Sequence, residues 1–146
     1  MARPPRSKSE LEQAFQEDVC YEFNMLAWTH HELSSGKYRE DSPEKNCLME
    51  SHAIHLRNAI EFLYSRNPRE DIVIAEDYLP DWQDVRPPEP ATRDEAFDAA
   101  SVQINHLTYK RNPATKMRWP HPITTELLAA FREFVRRTGM REAGTR

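Results

Sequence analysis

The hydrophobic positions of this chain recur every three or four residues in four long stretches, the spacing that places them on one side of an α-helix. The first stretch predicts a helix over residues 9–34. Its apolar positions are Leu11, Phe15, Val19, Phe23, Leu26 and Leu33. Ser9 and Glu12 have the spacing of a capping box at its start, and Gly36 provides a stop after its end.

The second stretch predicts a helix over residues 43–66, with Ser42 as its N-cap and Pro43 as its first residue. Asn67-Pro68 ends it, because the residue before a proline disfavours the α conformation. On a helical wheel, one face carries Leu48, Met49, His52, Leu56, Ala59, Ile60 and Leu63. Only a narrow stripe of the remaining surface is fully polar, and it consists of Glu50, Arg57 and Glu61. A helix that is apolar on nearly all sides is predicted to be central and buried.

Several polar side chains of the second helix point into these apolar sectors. They are Ser51, His52, His55 and Asn58. A buried polar group costs about 1–3 kcal/mol when it lacks a hydrogen-bond partner, so each should have one. Two interpretations stay open at this point: a structural network between helices, and a functional cleft that these side chains line.

Two further helices follow in the second half of the chain. The third is predicted to begin after Thr92, where Glu95 completes another capping box, and to end at Asn112-Pro113. The fourth covers residues 124–138, and Gly139 ends it. Because four amphipathic helices bury their apolar faces against one another, the sequence predicts an all-α, up-and-down four-helix bundle.

A short extra element separates the second and third helices. Residues 71–75 fit either a brief helix or a strand, and residues 79–90 contain prolines that indicate a loop. The domain organisation that follows is a flexible N-terminal tail over residues 1–8, one helical domain over residues 9–138, and a flexible C-terminal tail over residues 139–146.

The amino-acid composition excludes further fold classes. Only 3 glycines occur among 146 residues, whereas prolines number 11, which argues against hairpin-rich β folds and phosphate-binding glycine loops. The net charge of −4 is uneven, because residues 67–109 are strongly acidic and residues 110–146 strongly basic. A basic block can hold a phosphate backbone. It can equally dock on the chain's own acidic segment or remain solvated.

The sequence also indicates a compartment. It has no stretch near the roughly 20 apolar residues of a membrane span, and no apolar segment follows its basic N-terminus. Cys20 and Cys47 have no metal-site spacing and form no disulfide framework. These features predict a cytoplasmic protein with reduced thiols and no membrane contact.

The sequence gives little support for a metal site or for a catalytic nucleophile. Six histidines are present, but the chain has neither paired Glu-x-x-His motifs nor His-Glu-x-x-His. It also lacks a glycine-flanked serine of the kind that forms a nucleophile elbow. The sequence therefore predicts no metal centre and no cofactor.

Metal-independent RNA chemistry needs only a proton donor or acceptor, a cation for phosphate and a polar group that orients them. The residues that offer this set on the second and third helices are His55, Arg57, Asn58, His106, Thr108 and Arg111. The histidines would transfer protons, the arginines would hold phosphate, and Asn58 and Thr108 would contact the substrate. Antiparallel packing of the two helices would bring them together near one end of the bundle.

The segments 50–63 and 104–111, which carry these residues, and the segment 71–78 between them resemble a group of small bacterial helical proteins. Their bundle plan is similar to that of the HEPN superfamily. This resemblance implies an all-α bundle, commonly a homodimer, from toxin–antitoxin, phage-defence or RNA-processing systems. Active members are metal-independent endoribonucleases with Arg, a polar residue, and then His four to six residues further on. Arg57-Asn58 matches the first part, and Phe62, Leu63 and Tyr64 stand where the histidine would be.

Two functions of different classes remain. The first is a HEPN-like domain that binds RNA or a nucleotide, with metal-independent ribonuclease activity as its enzymatic form. The second is a non-enzymatic helical interaction module that serves dimerisation or the binding of a partner protein. The two differ in geometry, because the first requires Arg57, Asn58, His106 and Arg111 to converge on a solvent-open cleft.

Overall fold

The computed structural model describes residues 3–105 and 119–142. Within these ranges every regular element is a helix and no strand occurs, which confirms the predicted all-α class. The α-helices are α1 (Lys8–Ala14), α2 (Cys20–Ser34), α3 (Pro43–Leu63), α4 (Trp82–Val85), α5 (Arg93–Asn105) and α6 (Ile123–Thr138). Among the helices of the described ranges, none has the length and apolar character needed to cross a bilayer.

A π-helical segment, Phe15–Val19, joins α1 to α2 without a break, so the two form one rod. The rod is capped by Ser7 rather than by Ser9. The Ser7 hydroxyl accepts the Glu10 backbone N–H at 3.1 Å, and the Glu10 carboxylate accepts the Ser7 N–H at 2.8 Å. The prediction of Ser9 is wrong because the chain has the same serine–glutamate spacing twice, and the pattern alone does not choose between the copies.

The start of α3 is as predicted. Ser42 is its N-cap, with a hydroxyl that accepts the Lys45 backbone N–H at 3.2 Å, and Pro43 is its first residue. The helix ends at Leu63, three residues before the predicted end at 66, because Tyr64 leaves the helical conformation with φ −133°. Tyr64 then turns into the core, where it is almost fully buried.

We expect Ser42→Ala to lower the free energy of unfolding by about 1 kcal/mol, because the variant leaves a helix N–H without its acceptor. Urea denaturation followed by circular dichroism measures the change. Ser34→Ala is the matched control, since Ser34 is exposed at the last position of α2. Equal stabilities for the two variants would show that the cap contributes nothing.

Helix α3 packs against α2, α5 and α6, and its core side is fully buried at Leu56, Ala59 and Ile60. The prediction of burial on nearly all sides is wrong for one outward strip. Ile54 is 40% exposed there, and Cys47 is also exposed. The strip stays open because α2 and α5 pack on the two flanks of α3, and no described element covers the space between those flanks.

The segment between α3 and α5 packs on the end of α3. A single 3₁₀ turn, Ala75–Asp77, forms where the sequence left helix and strand open. In α4, Trp82 is fully buried, and its indole N–H donates to the Leu63 carbonyl at 2.8 Å. Arg3 pairs with Asp77 at 3.1 Å. The described part of the predicted N-terminal tail therefore contacts the domain.

The last two helices begin within one residue of the positions predicted from the sequence. Helix α5 begins at Arg93, and its predicted end at residue 112 lies outside the described residues. Helix α6 begins at Ile123, one residue early, and ends at Thr138. Gly139 follows with φ +67°, a left-handed conformation that glycine adopts without strain, and its N–H donates to the Val135 carbonyl at 2.9 Å.

Candidate functional site

The six residues proposed from the sequence divide into two sets. His55, Arg57 and Asn58 lie on α3. His106, Thr108 and Arg111 lie outside the described residues. The structure therefore gives the geometry of the α3 half of the predicted constellation.

His55 is buried on the α2 flank of α3, where it pairs with a carboxylate. Its Nδ1 lies 2.6 Å from Oε2 of Glu22, a distance typical of an N–H donated to a carboxylate. The Tyr21 ring meets the imidazole edge-on, with the ring centroids 5.6 Å apart. Glu22 fixes the orientation of this histidine, and sequence analysis missed the pair because its members lie 33 residues apart.

Arg57 lies on the opposite, α5 flank. Its guanidinium carbon is 5.2 Å from the centre of the Phe97 ring, and that of Arg93 is also 5.2 Å from it. Such a cation–π contact contributes about 0.5–2 kcal/mol. The Arg57 Nε is buried and has no hydrogen-bond partner among the described residues. The structure therefore separates Arg57 from His55, and the two do not share a cleft in the described residues.

Asn58 lies on the same side of α3 as His55 and lines a groove of about 160 Å³. The groove walls include the buried side chains of Val19, Phe23 and Phe62. Its polar lining residues are Asp18, Glu22, Asn58 and Glu61. Among the described residues that line it, none is Lys or Arg. The groove is therefore acidic, which disfavours a phosphate at His55 and Asn58.

The two helices that line this groove also carry exposed apolar side chains. Tyr21 is 53% exposed, Trp28 is 50% exposed, and Ile54 is 40% exposed; these are the exposed large hydrophobic residues of the described ranges. Tyr21 and Trp28 are seven residues apart and lie on one side of α2. Met25, half-buried, lies between them. We call the surface formed by Tyr21, Met25, Trp28 and Ile54 the α2–α3 face.

Sequence analysis overlooked this face. The spacing of Tyr21, Met25 and Trp28 is visible in the chain as a second apolar stripe on the predicted first helix. Such a stripe is ordinarily covered by a neighbouring helix, and the sequence does not show that none of the described elements covers it.

His52, which the sequence placed among the polar residues of α3, belongs to a structural network. It is fully buried, with Nδ1 2.9 Å from the Thr29 hydroxyl and Nε2 3.2 Å from the Thr124 hydroxyl. Burial lowers the pKa of His52 to about 3, so its ring is neutral near pH 7. A neutral imidazole has one donor and one acceptor nitrogen, so His52 donates to only one of the two hydroxyls. Both hydroxyls also lie within hydrogen-bond distance of a backbone carbonyl, Thr29 of Met25 at 2.8 Å and Thr124 of His121 at 2.7 Å.

More histidines surround this network at the same end of α3. The His30 ring centroid lies 6.3 Å from that of His52, and Trp119 meets His52 edge-on at 5.8 Å. His121 is buried, with an Nδ1 that accepts the Ile123 backbone N–H at 3.1 Å. Burial lowers the pKa of both His30 and His121. Within the described ranges, no group of three or more His, Cys, Asp or Glu side chains is arranged to hold a metal ion.

Comparison of the chain with protein-family models, with curated proteins and with solved structures finds no match. The HEPN resemblance therefore stays a prediction. What the described geometry offers chemically is an oriented histidine–carboxylate pair, an acidic groove and an exposed aromatic surface, all on the outer side of α2 and α3.

Proposed function

We propose that this protein is a non-enzymatic helical interaction module that binds a partner protein on the α2–α3 face. The observation that carries the proposal is the half-exposure of Tyr21 and Trp28 on one side of α2. Ile54 is exposed on α3, one residue before the His55 ring that Tyr21 contacts. Contiguous exposed apolar groups on a soluble domain ordinarily mark an interaction site.

The residue types support a protein partner. Tryptophan and tyrosine are enriched among the few interface residues that carry most of the binding energy, because they bury a large area with little rotamer entropy. On this face both project from α2, which packs against α3, so their positions are fixed before a partner arrives. A preorganised surface loses less entropy on binding than a loop does.

RNA binding is the rival function, and the described residues favour it less. His55 is paired with Glu22, and the adjoining groove is lined by carboxylates. Arg57 lies on the other flank of α3 against Phe97. An RNA site in this protein would therefore depend on the side chains of His106, Thr108 and Arg111.

We also propose that the long helices follow an up-and-down order. Glu22 contacts His55 and the later Thr29 contacts the earlier His52, which supports antiparallel packing of α2 and α3. Arg93 reaches Tyr64 at the end of α3 and the later Phe97 contacts the earlier Arg57, which supports the same for α5. The contacts Thr124–His52 and Phe134–Phe62 advance together along both helices and support a parallel course of α6 and α3. In this order the α2–α3 face lies on the outside of one helix pair.

Site-specific photocrosslinking in the native cell tests the proposed function. A benzophenone side chain at Ile54 should give a protein adduct that protease removes and ribonuclease leaves intact. The same group at Ala129, exposed on α6, is the matched control and should not give that adduct. A ribonuclease-sensitive adduct at Ile54, or the same adduct at Ala129, would contradict the proposal.

The second step uses the purified crosslinked partner. Replacing both Tyr21 and Trp28 with alanine should weaken binding by about 30-fold or more, the effect of losing one interface hot spot of about 2 kcal/mol. Isothermal titration calorimetry measures the loss. Unchanged affinity would place the partner's contact elsewhere and overturn the proposal.

A further inference from the structure

We infer that the acidic groove beside the α2–α3 face receives a lysine or arginine side chain of the partner, so that the partner is a basic amphipathic segment. This inference rests on the proposed function and adds the chemistry of the partner. It follows from the charge, the size and the position of the groove.

The groove has negative charge that the described residues do not neutralise. Of its three carboxylates, Glu22 is paired with His55. Asp18 and Glu61 have neither an ion pair nor a hydrogen bond within the described ranges. Because like charges close together repel each other, an incoming cation would relieve that repulsion and gain attraction from each carboxylate.

The size and lining of the groove fit one long basic side chain. Small-molecule sites usually measure about 300–1,000 Å³, whereas this groove measures about 160 Å³. Its buried apolar walls, Phe23 and Phe62, suit a methylene stem. Its carboxylates suit the charged head of the same side chain. Lysine and arginine combine such a stem with such a head.

The groove also lies where one partner element could reach it together with the aromatic surface. Glu22 of the groove directly follows Tyr21 of the face, and Asn58 of the groove is one helical turn beyond Ile54. A helix presents neighbouring side chains every three to four residues. A partner helix with apolar residues on one face and a basic residue one turn away would therefore occupy both surfaces.

Designed peptides provide the test. The probe is a fluorescein-labelled amphipathic helix of leucine and lysine, and its counterparts carry glutamine or glutamate in place of lysine. Fluorescence anisotropy should show that the lysine peptide binds the full chain and that the other two bind at least tenfold more weakly. Equal binding of the glutamine peptide would overturn the inference and leave the proposed function standing.

Charge variants separate the groove from the general charge of the protein. The double variant Asp18→Asn and Glu61→Gln should weaken binding of the lysine peptide at least tenfold. The matched control is Asp98→Asn with Glu126→Gln, which removes two exposed carboxylates from α5 and α6 and should change the affinity less than twofold. Equal losses in both would attribute the effect to net charge and overturn the inference. Urea midpoints establish that all the variants are folded.

Two further measurements distinguish the possible explanations of these results. Trp28→Ala should weaken the binding of every peptide that binds the wild type. If Trp28→Ala leaves the binding unchanged while the groove variant weakens it, the aromatic surface is not the docking site. That result would contradict the proposed function and not the inference about the groove. Sedimentation of the wild type identifies self-association. A dimer that the groove variant dissociates would make a second copy of this chain the occupant and overturn the choice of a separate partner.

Discussion

Replacing Trp82 with alanine is expected to lower the free energy of unfolding by about 3–5 kcal/mol. The side chain is fully buried, its N–H donates to the Leu63 carbonyl at 2.8 Å, and its ring meets Phe134 edge-on at 5.6 Å. The substitution leaves a cavity and removes the shorter of two side-chain hydrogen bonds that the Leu63 carbonyl accepts, the other coming from Arg86 at 3.3 Å. Chemical denaturation followed by circular dichroism measures the effect.

The chain provides its own control for this experiment. Trp28 is half exposed, so Trp28→Ala should cost less than about 1 kcal/mol, although the same atoms are removed. Trp82→Phe should fall between the two, since it keeps most of the packing and loses the hydrogen bond. Equal stabilities of the two alanine variants would contradict the burial of Trp82 where α4 packs on α3.

The second large effect is expected at His52. His52→Ala should lower the free energy of unfolding by about 2–4 kcal/mol, because it opens a cavity between helices and removes one hydrogen-bond partner from each of two buried hydroxyls. Those hydroxyls belong to Thr29 on α2 and Thr124 on α6, so the loss affects three helices. His31→Ala, at an exposed position, is the control and should stay within about 0.5 kcal/mol of the wild type.

The same residue makes stability depend on pH. Burial, and to a smaller extent His30, His121 and His55, lowers the pKa of His52 to about 3 from the ordinary 6.5. Below pH 6.5 the unfolded chain binds a proton that the folded chain does not, so the free energy of unfolding decreases as the pH falls towards 3. Between pH 7 and pH 5 the wild type should lose about 1–2 kcal/mol more than His52→Ala. Equal losses would show that His52 is solvated in the folded protein.

Local sequence signals predicted much of the fold. Ser42 and Pro43 mark the start of α3, and Gly139 marks the end of α6, because capping depends on a few adjacent residues. The same kind of signal failed at the first helix, where Ser7 and Ser9 compete for one cap. The π-helical segment was not predicted, since a single additional residue in a turn leaves the apolar spacing nearly unchanged.

Less of the candidate site than of the fold could be predicted from the sequence. A helical wheel shows that His55 and Arg57 differ in direction, but it does not show which helix covers each direction. The structure places α2 on one flank and α5 on the other, so one residue meets Glu22 and the other Phe97. The exposure of Tyr21 and Trp28 depends on the absence of a covering element, which is a property of the assembled fold rather than of any segment.

The π-helical segment has a consequence for how this surface could change in evolution. Asp18 lies within Phe15–Val19, and Tyr21 follows two residues after its end. A π-helical turn holds one residue more than an α-helical turn, so it accommodates an extra residue without turning α1 relative to α2. Deleting one residue there should therefore restore a regular α-helix with both flanking helices in place, and change only the directions of side chains within the segment, Asp18 among them. Segment length is thus a variable that can move a carboxylate of the groove while the aromatic surface on α2 stays where it is.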